Sequence, residues 1–132
     1  MNQMVEFHNI VDSRGKLVSL ESGINVPFEI KRVYYIYDVD TSLKRGFHAH
    51  KNLKQVAVCV SGSCTLTLDN GKTKEDYLLD NPSKGLLIGS NIWREMGDFS
   101  PDCVLMVLAS ELYDEDDYIR DYDEFLRTVS YD

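Results

Sequence analysis

Val56, Val58 and Val60 alternate with Ala57 and Cys59, and the run stops at Ser61-Gly62. Cys64, Leu66 and Leu68 then alternate with Thr65 and Thr67 up to Asn70-Gly71, and Tyr77 to Leu79 resume the pattern. Period-two runs between turn residues predict half-buried strands, and Asn70-Gly71 predicts a hairpin with a type I′ turn. Weaker alternation over residues 4–10, through Val5 and Phe7, predicts a short strand. Asp12-Ser13-Arg14-Gly15 reads as a turn, and Leu17, Val18 and Leu20 as a strand ended by Glu21-Ser22-Gly23. After Pro27 a long strand is expected from about Phe28 to Val39. Its alternation sets Arg32, Tyr34, Ile36 and Asp38 on one face and Lys31, Val33, Tyr35 and Tyr37 on the other. Neither face is wholly apolar, so one of them is expected to border a polar cavity.

A loop over Asp40 to Lys44 leads to another strand, and turn signals then frame Leu86-Leu87-Ile88 and Trp93-Arg94-Glu95-Met96. Cys103 to Ala109 is apolar and partly β-branched, as in a buried strand. The period changes at the C-terminal end. Tyr118, Ile119, Tyr122, Phe125, Leu126 and Val129 fall at helical spacing, and the acidic residues Asp114 to Asp117 before them suit a helix start. That cluster is read as the beginning of a helix rather than as a functional site. About nine or ten short strands followed by one helix predict an all-β jelly-roll barrel, a single domain over residues 1–132 with the helix outside.

Composition narrows the function classes. The 132 residues carry a net charge of -8, which argues against a general nucleic-acid binder. No apolar run reaches membrane-spanning length, and the N-terminus lacks a signal-peptide pattern. Cys59, Cys64 and Cys103 are odd in number, contain no CxxC pair and read as buried free thiols, so a cytoplasmic location is expected. Acidic residues crowd the C-terminal end, whereas many cations lie between Arg14 and Lys54. A basic patch on an acidic chain suits a small anionic ligand, with phosphate the obvious candidate.

Two of the three histidines sit inside Arg45-Gly46-Phe47-His48-Ala49-His50-Lys51. On a strand His48 and His50 project to the same face, with Phe47 and Ala49 on the other. Two imidazoles of ordinary pKa near about 6.5 beside the Arg45 cation can share proton transfer near neutrality. His8, alone, reads as a surface or satisfied core residue.

An HxH strand in a small barrel resembles the cupins. In that superfamily the pair is followed by a Glu ligand and a Gly, and a second motif ends in a third His. Here the corresponding residues are Gln55, Gly62 and, in Gly89-Ser90-Asn91-Ile92-Trp93-Arg94, Arg94. A guanidinium cannot donate a lone pair, and catalytic metal sites generally want three protein ligands, so no metal is expected. The histidines are left as acids and bases.

The runs Ile30-Lys31-Arg32-Val33-Tyr34-Tyr35-Ile36, Arg45 to Lys51, Val107-Leu108-Ala109-Ser110, Tyr113-Asp114-Glu115 and Asp117 to Tyr122 are similar, in order, to the dTDP-sugar 3,4-ketoisomerases, the small WxcM-like cupins of deoxysugar biosynthesis. The resemblance spans Phe7 to about Phe125. It implies a dTDP-4-keto-6-deoxy-glucose substrate, a product with the ketone at C3, no metal or organic cofactor, and a homodimer with swapped N-terminal strands. It also implies that the product feeds an aminotransferase making a 3-amino-3,6-dideoxysugar for a surface glycan.

By the same analogy His50 is the carbon base and His48 shuttles protons between the two oxygens. Tyr34 orients a histidine or donates to an oxygen, unless it is only a half-buried barrel residue. Arg32 and Arg45 suit a pyrophosphate through bidentate bonds, against the alternative of surface salt bridges. Trp93 packs near the sugar or plugs the barrel. The galacto-type branch of the family resembles Arg at position 14 with His at 94, and the gluco-type branch Tyr with Arg. This chain joins Arg14 to Arg94, and the gluco product is favoured because Arg94 sits beside the histidines. The rival readings are a dTDP-sugar 3,5-epimerase-like enzyme, a non-catalytic sugar-nucleotide-binding cupin, and a metal dioxygenase, the last disfavoured by Gln55 and Arg94.

Overall fold

The apolar runs around Val58 and Val107 lie side by side at the centre of the molecule, and every other strand is arranged about them. A computed structural model describes residues 3–130. Its strands are β1 (Met4–Glu6), β2 (Ile10–Asp12), β3 (Gly15–Leu17), β4 (Arg32–Ile36), β5 (Arg45–His50), β6 (Gln55–Ser61), β7 (Cys64–Asp69), β8 (Lys74–Leu79), β9 (Lys84–Ile88), β10 (Trp93–Gly97), β11 (Val104–Ala109) and β12 (Tyr118–Ile119). Among the described residues the one α-helix is α1 (Tyr122–Val129), which follows β12.

Two antiparallel five-stranded sheets, ordered β1-β9-β6-β11-β4 and β12-β5-β10-β7-β8, pack face to face as a jelly roll whose sheets remain open at their edges. Ala57, Cys59, Leu66, Leu68, Leu86, Ile88, Leu105 and Val107 fill the space between them. β6 is buried on both faces, which explains its unbroken apolar run: Val56 and Val58 point outward and pack under Phe7, Val26, Val18 and Leu20. On the second sheet the outward residues Ala49 and Trp93 are covered by Ile119 and Phe125.

Several expected boundaries shift. The long strand shortens to β4, because Asp38 adopts a positive φ of 56° and the segment before Arg32 turns on a Ser22–Val26 bridge. The strand through Leu20 shortens to β3, and Val18 and Leu20 serve as cover instead. The Asn70-Gly71 hairpin forms, but as a four-residue loop closed from Asn70 N to Thr73 O, with only Gly71 at positive φ, not as a type I′ turn. The Asn70 side chain accepts from Lys72 N and Thr73 N, and so selects this wider loop. The helix starts later than its periodicity suggests. Tyr118 and Ile119 pair with His50 and Ala49 in β12, and Asp121 caps α1 by accepting from Glu124 N.

Candidate active site

β5 carries the two histidines to one end of the sandwich, and a bulge in it decides what else faces them. His48 lies opposite Arg94, but Gly46 is opposite Glu95 and Arg45 opposite Met96, so Phe47 is the extra residue. Gly46 (φ 93°) and Phe47 (φ 60°) both sit in the left-handed region, and a Cβ at Gly46 would stand 3.0 Å from the Arg94 carbonyl. Strict alternation would turn Arg45 away from His48. The bulge restores it to the inner face, where Arg32, Tyr34, Arg45, His48, Tyr113 and Tyr118 line a cavity of about 280 Å³.

His48 and His50 are side by side, their ring centroids 4.9 Å apart and nearly perpendicular. Tyr118 covers both, at 5.1 Å and 4.3 Å. Behind them His50 Nδ1 lies 3.2 Å from Asp117 Oδ2. The buried Asp117 carboxylate also accepts from Asn52 N at 2.8 Å and Leu53 N at 3.2 Å. A carboxylate so employed only accepts, so the Nδ1 proton belongs to His50 and the lone pair is left on Nε2. That is the tautomer a general base requires.

Arg94 is fully buried. Its Nη1 donates to Gln55 Oε1, its Nη2 donates to Ile92 O at 3.0 Å, and its Nε has no partner. Gln55 Nε2 in turn donates to the Tyr34 hydroxyl at 2.9 Å. The hydroxyl therefore accepts from the protein and keeps its own proton for another oxygen, and burial raises the Tyr34 pKa. Arg32 lies over the rings of Tyr34 and Tyr113, 5.2 Å and 5.8 Å from their centroids, with a buried Nε that also lacks a partner. Burial first, and the Arg94 cation second, hold His48 down to about 4 and push His50 lower still, so both imidazoles are neutral at physiological pH. Desolvation lowers Arg94 to about 10, which still leaves it charged.

By the cupin motifs that the sequence resembles, His48, His50, Gln55 and Arg94 stand at the four ligand positions, and these side chains do not fit a metal ion. The Gln55 amide oxygen is already an acceptor for Arg94, and that guanidinium would confront any cation. The arrangement instead offers two neutral imidazoles, a phenol and a buried cation with a spare N–H. Such a set can take a proton from carbon and stabilise the oxyanion that results.

Of the sequence candidates, His48, His50, Tyr34, Arg32, Arg45 and Arg94 come together. Trp93 does not join them. It points out of the opposite face of β10, packs on Tyr122 and Phe125 and donates to Glu95 Oε2, so it neither lines the cavity nor plugs the barrel. Arg14 also stands apart. It lies exposed on the β2–β3 turn, bound to Asp12 at 2.7 Å, outside the cavity of its own chain. Sequence reasoning missed Asp117 and Tyr118. Asp117 is absorbed into the acidic start of the expected helix and Tyr118 into its apolar spacing.

The jelly-roll sandwich is cupin-like, and its oriented imidazole pair is of the kind that serves proton transfer. Residues 1–130 match the FdtA (WxcM-like, C-terminal) family model. The chain is 54% identical over 129 residues, 98% of its length and 93% of the relative's, to the TDP-4-oxo-6-deoxy-alpha-D-glucose-3,4-oxoisomerase of Aneurinibacillus thermoaerophilus. A 3,4-ketoisomerase from Helicobacter canadensis superposes with a TM-score of 0.94 at 49% identity, over 97% of this chain and 96% of that one. QdtA, a sugar 3,4-ketoisomerase from Thermoanaerobacterium thermosaccharolyticum solved with TDP, gives 0.94 at 47% identity, over 96% and 93%. A His-to-Asn variant of QdtA was solved with TDP-4-keto-6-deoxyglucose. The chain belongs to the FdtA, WxcM-like family.

Proposed function

We infer that this chain is a TDP-sugar 3,4-ketoisomerase that moves the ketone of TDP-4-keto-6-deoxyglucose from C4 to C3. The observation that carries the reading is the Asp117–His50–His48 constellation facing a buried Arg94. The C4 ketone acidifies the C3 proton, which passes to Nε2 of His50 and leaves an enediolate. His48 takes the O3 proton and returns it to O4; because H3 and H4 of the gluco epimer lie on opposite ring faces, C4 takes its proton from water on the face away from His50, and the proton on His50 is released to solvent. Atoms and charge balance without a redox partner. Arg94 and Tyr34 stabilise the oxygen that becomes negative, and Arg32 and Arg45 bind the pyrophosphate. The product is the gluco epimer, with Arg94 beside the histidines. The chemistry is metal-independent, the protein works in the cytoplasm, and a 3-aminotransferase consumes the product.

The active species is a homodimer with exchanged N-terminal strands. Supporting this, β2 and β3 pair only with each other among the described strands, and expose Ile10, Val11 and Leu17. The outer surface of the first sheet presents Val33, Tyr35 and Val60. Incubation with TDP-4-keto-6-deoxyglucose in deuterated water, followed by proton NMR, tests the reading. A 3-ketone must appear. Deuterium at C3 and C5 with the ketone unmoved would indicate an epimerase, and bound but unchanged sugar a binding protein.

A further inference from the structure

Cys59, Cys64 and Cys103 are the buried free thiols that the sequence leads one to expect, and the fold gathers them. Cys59 lies near the end of β6, Cys64 opens β7 and Cys103 immediately precedes β11. All three are buried and unbridged, their sulfurs lie within 4.8 Å of one another, and Cys59 Sγ is 3.6 Å from Cys103 Sγ. Sulfurs around a zinc ion at a bond length of about 2.3 Å stand roughly 3.8–4.0 Å apart, so small side-chain rotations close the set on an ion.

We propose that these three thiols form a binding site for a thiophilic d10 dication, zinc or cadmium, which cross-links β6, β7 and the start of β11. Binding is M²⁺ + 3 RSH → [M(SR)₃]⁻ + 3 H⁺, with no electron transferred. Soft sulfur donors in an apolar setting select such ions over magnesium or calcium. The Ser61 carbonyl oxygen, 3.1 Å from Cys59 Sγ, is placed to complete a fourth position. Asp102, exposed at the rim and bonded to Ser100 Oγ at 2.7 Å, adds a negative charge where an ion would arrive. Cys59 follows Gln55 by four residues on one strand, roughly 13 Å, so the site is separate from the histidines.

The test is titration of the reduced full-length protein with Cd²⁺, reading thiolate-to-cadmium charge-transfer absorption, with Zn²⁺ as competitor. One ion per chain is expected, with a raised thermal midpoint and slower alkylation of all three thiols. Cys64→Ala and Cys103→Ser should each weaken binding by roughly a hundredfold or more, and His50→Asn should leave it unchanged. The alkylation readout needs no variant and stands even if both cysteine variants fold poorly. The proposal is overturned if Cd²⁺ produces no charge-transfer band and no thiol protection, if binding survives Cys64→Ala, or if it disappears in His50→Asn.

Discussion

His50 Nδ1 is held 3.2 Å from Asp117 Oδ2, and the two residues are 67 positions apart in the chain. The contact fixes the imidazole tautomer, because backbone N–H groups of Asn52 and Leu53 already occupy the carboxylate as an acceptor. Asp117→Asn presents an amide that can donate to Nδ1 and leave the proton on Nε2, the wrong tautomer for a base. Turnover should fall by about 10²–10⁴ while KM stays within a few-fold. Asp117→Glu should recover part of the loss. Steady-state kinetics of the two variants distinguish this positioning role from a packing role, in which both would lose activity and stability together.

The lowered histidines make a statement about acid. Both are neutral down to well below the ordinary imidazole value, with His48 at about 4. The acid limb of the kcat/KM profile should therefore lie below about pH 6.5. Stability follows the same linkage. Between roughly pH 4 and 6.5 the unfolded chain binds protons that folded His48 refuses, so the unfolded state gains on acidification and stability is fully regained only above 6.5. The thermal midpoint should fall as pH drops through that window, and His48→Asn should flatten the slope.

Arg94 is the second cause of both shifts and the nearest candidate to stabilise an enediolate oxygen. Arg94→Gln removes the cation and keeps a polar group near Gln55. Turnover should drop by about 10²-fold or more, as for a lost oxyanion donor. The imidazole pKa values should at the same time rise toward the ordinary value, which histidine NMR titration reads directly. An unchanged titration would show that Arg94 does not reach the pair.

Arg94 donates to Gln55, and both stand where the cupin motifs that the sequence resembles have metal ligands. The double change Gln55→Glu with Arg94→His restores a carboxylate and a third imidazole beside His48 and His50. The variant should bind one divalent ion per chain, visible as a Co²⁺ visible-region spectrum, and lose ketoisomerase activity. Failure to take up cobalt would mean that the backbone itself has moved away from ligand geometry.

How far the sequence carried the reading depends on which residues were local in it. The strands of the β6–β7–β8 region and the pairing of His48 with His50 followed from a period of two. Gly46-Phe47 shows where that rule stops, since one extra residue reverses the face of Arg45 and no alternation count reveals it. Asp117 was hidden because a run of acidic residues before a helix has a sufficient local explanation, whereas its burial is a tertiary fact. Trp93 was placed wrongly for the complementary reason: it neighbours Arg94, but adjacent strand residues face opposite ways and α1 claims the outer one. Arg14 shows a further limit, because among the described residues it bonds only to Asp12.

The most direct measurement is proton NMR of TDP-4-keto-6-deoxyglucose incubated with the wild-type protein and with His50→Asn. Wild type should convert the 4-ketone to the 3-ketone, with ring couplings of an equatorial C4 hydroxyl, while the variant binds TDP within a few-fold of wild type and leaves the ketone at C4. Migration of the ketone at an undiminished rate in His50→Asn would contradict the assignment of the carbon base to the oriented imidazole.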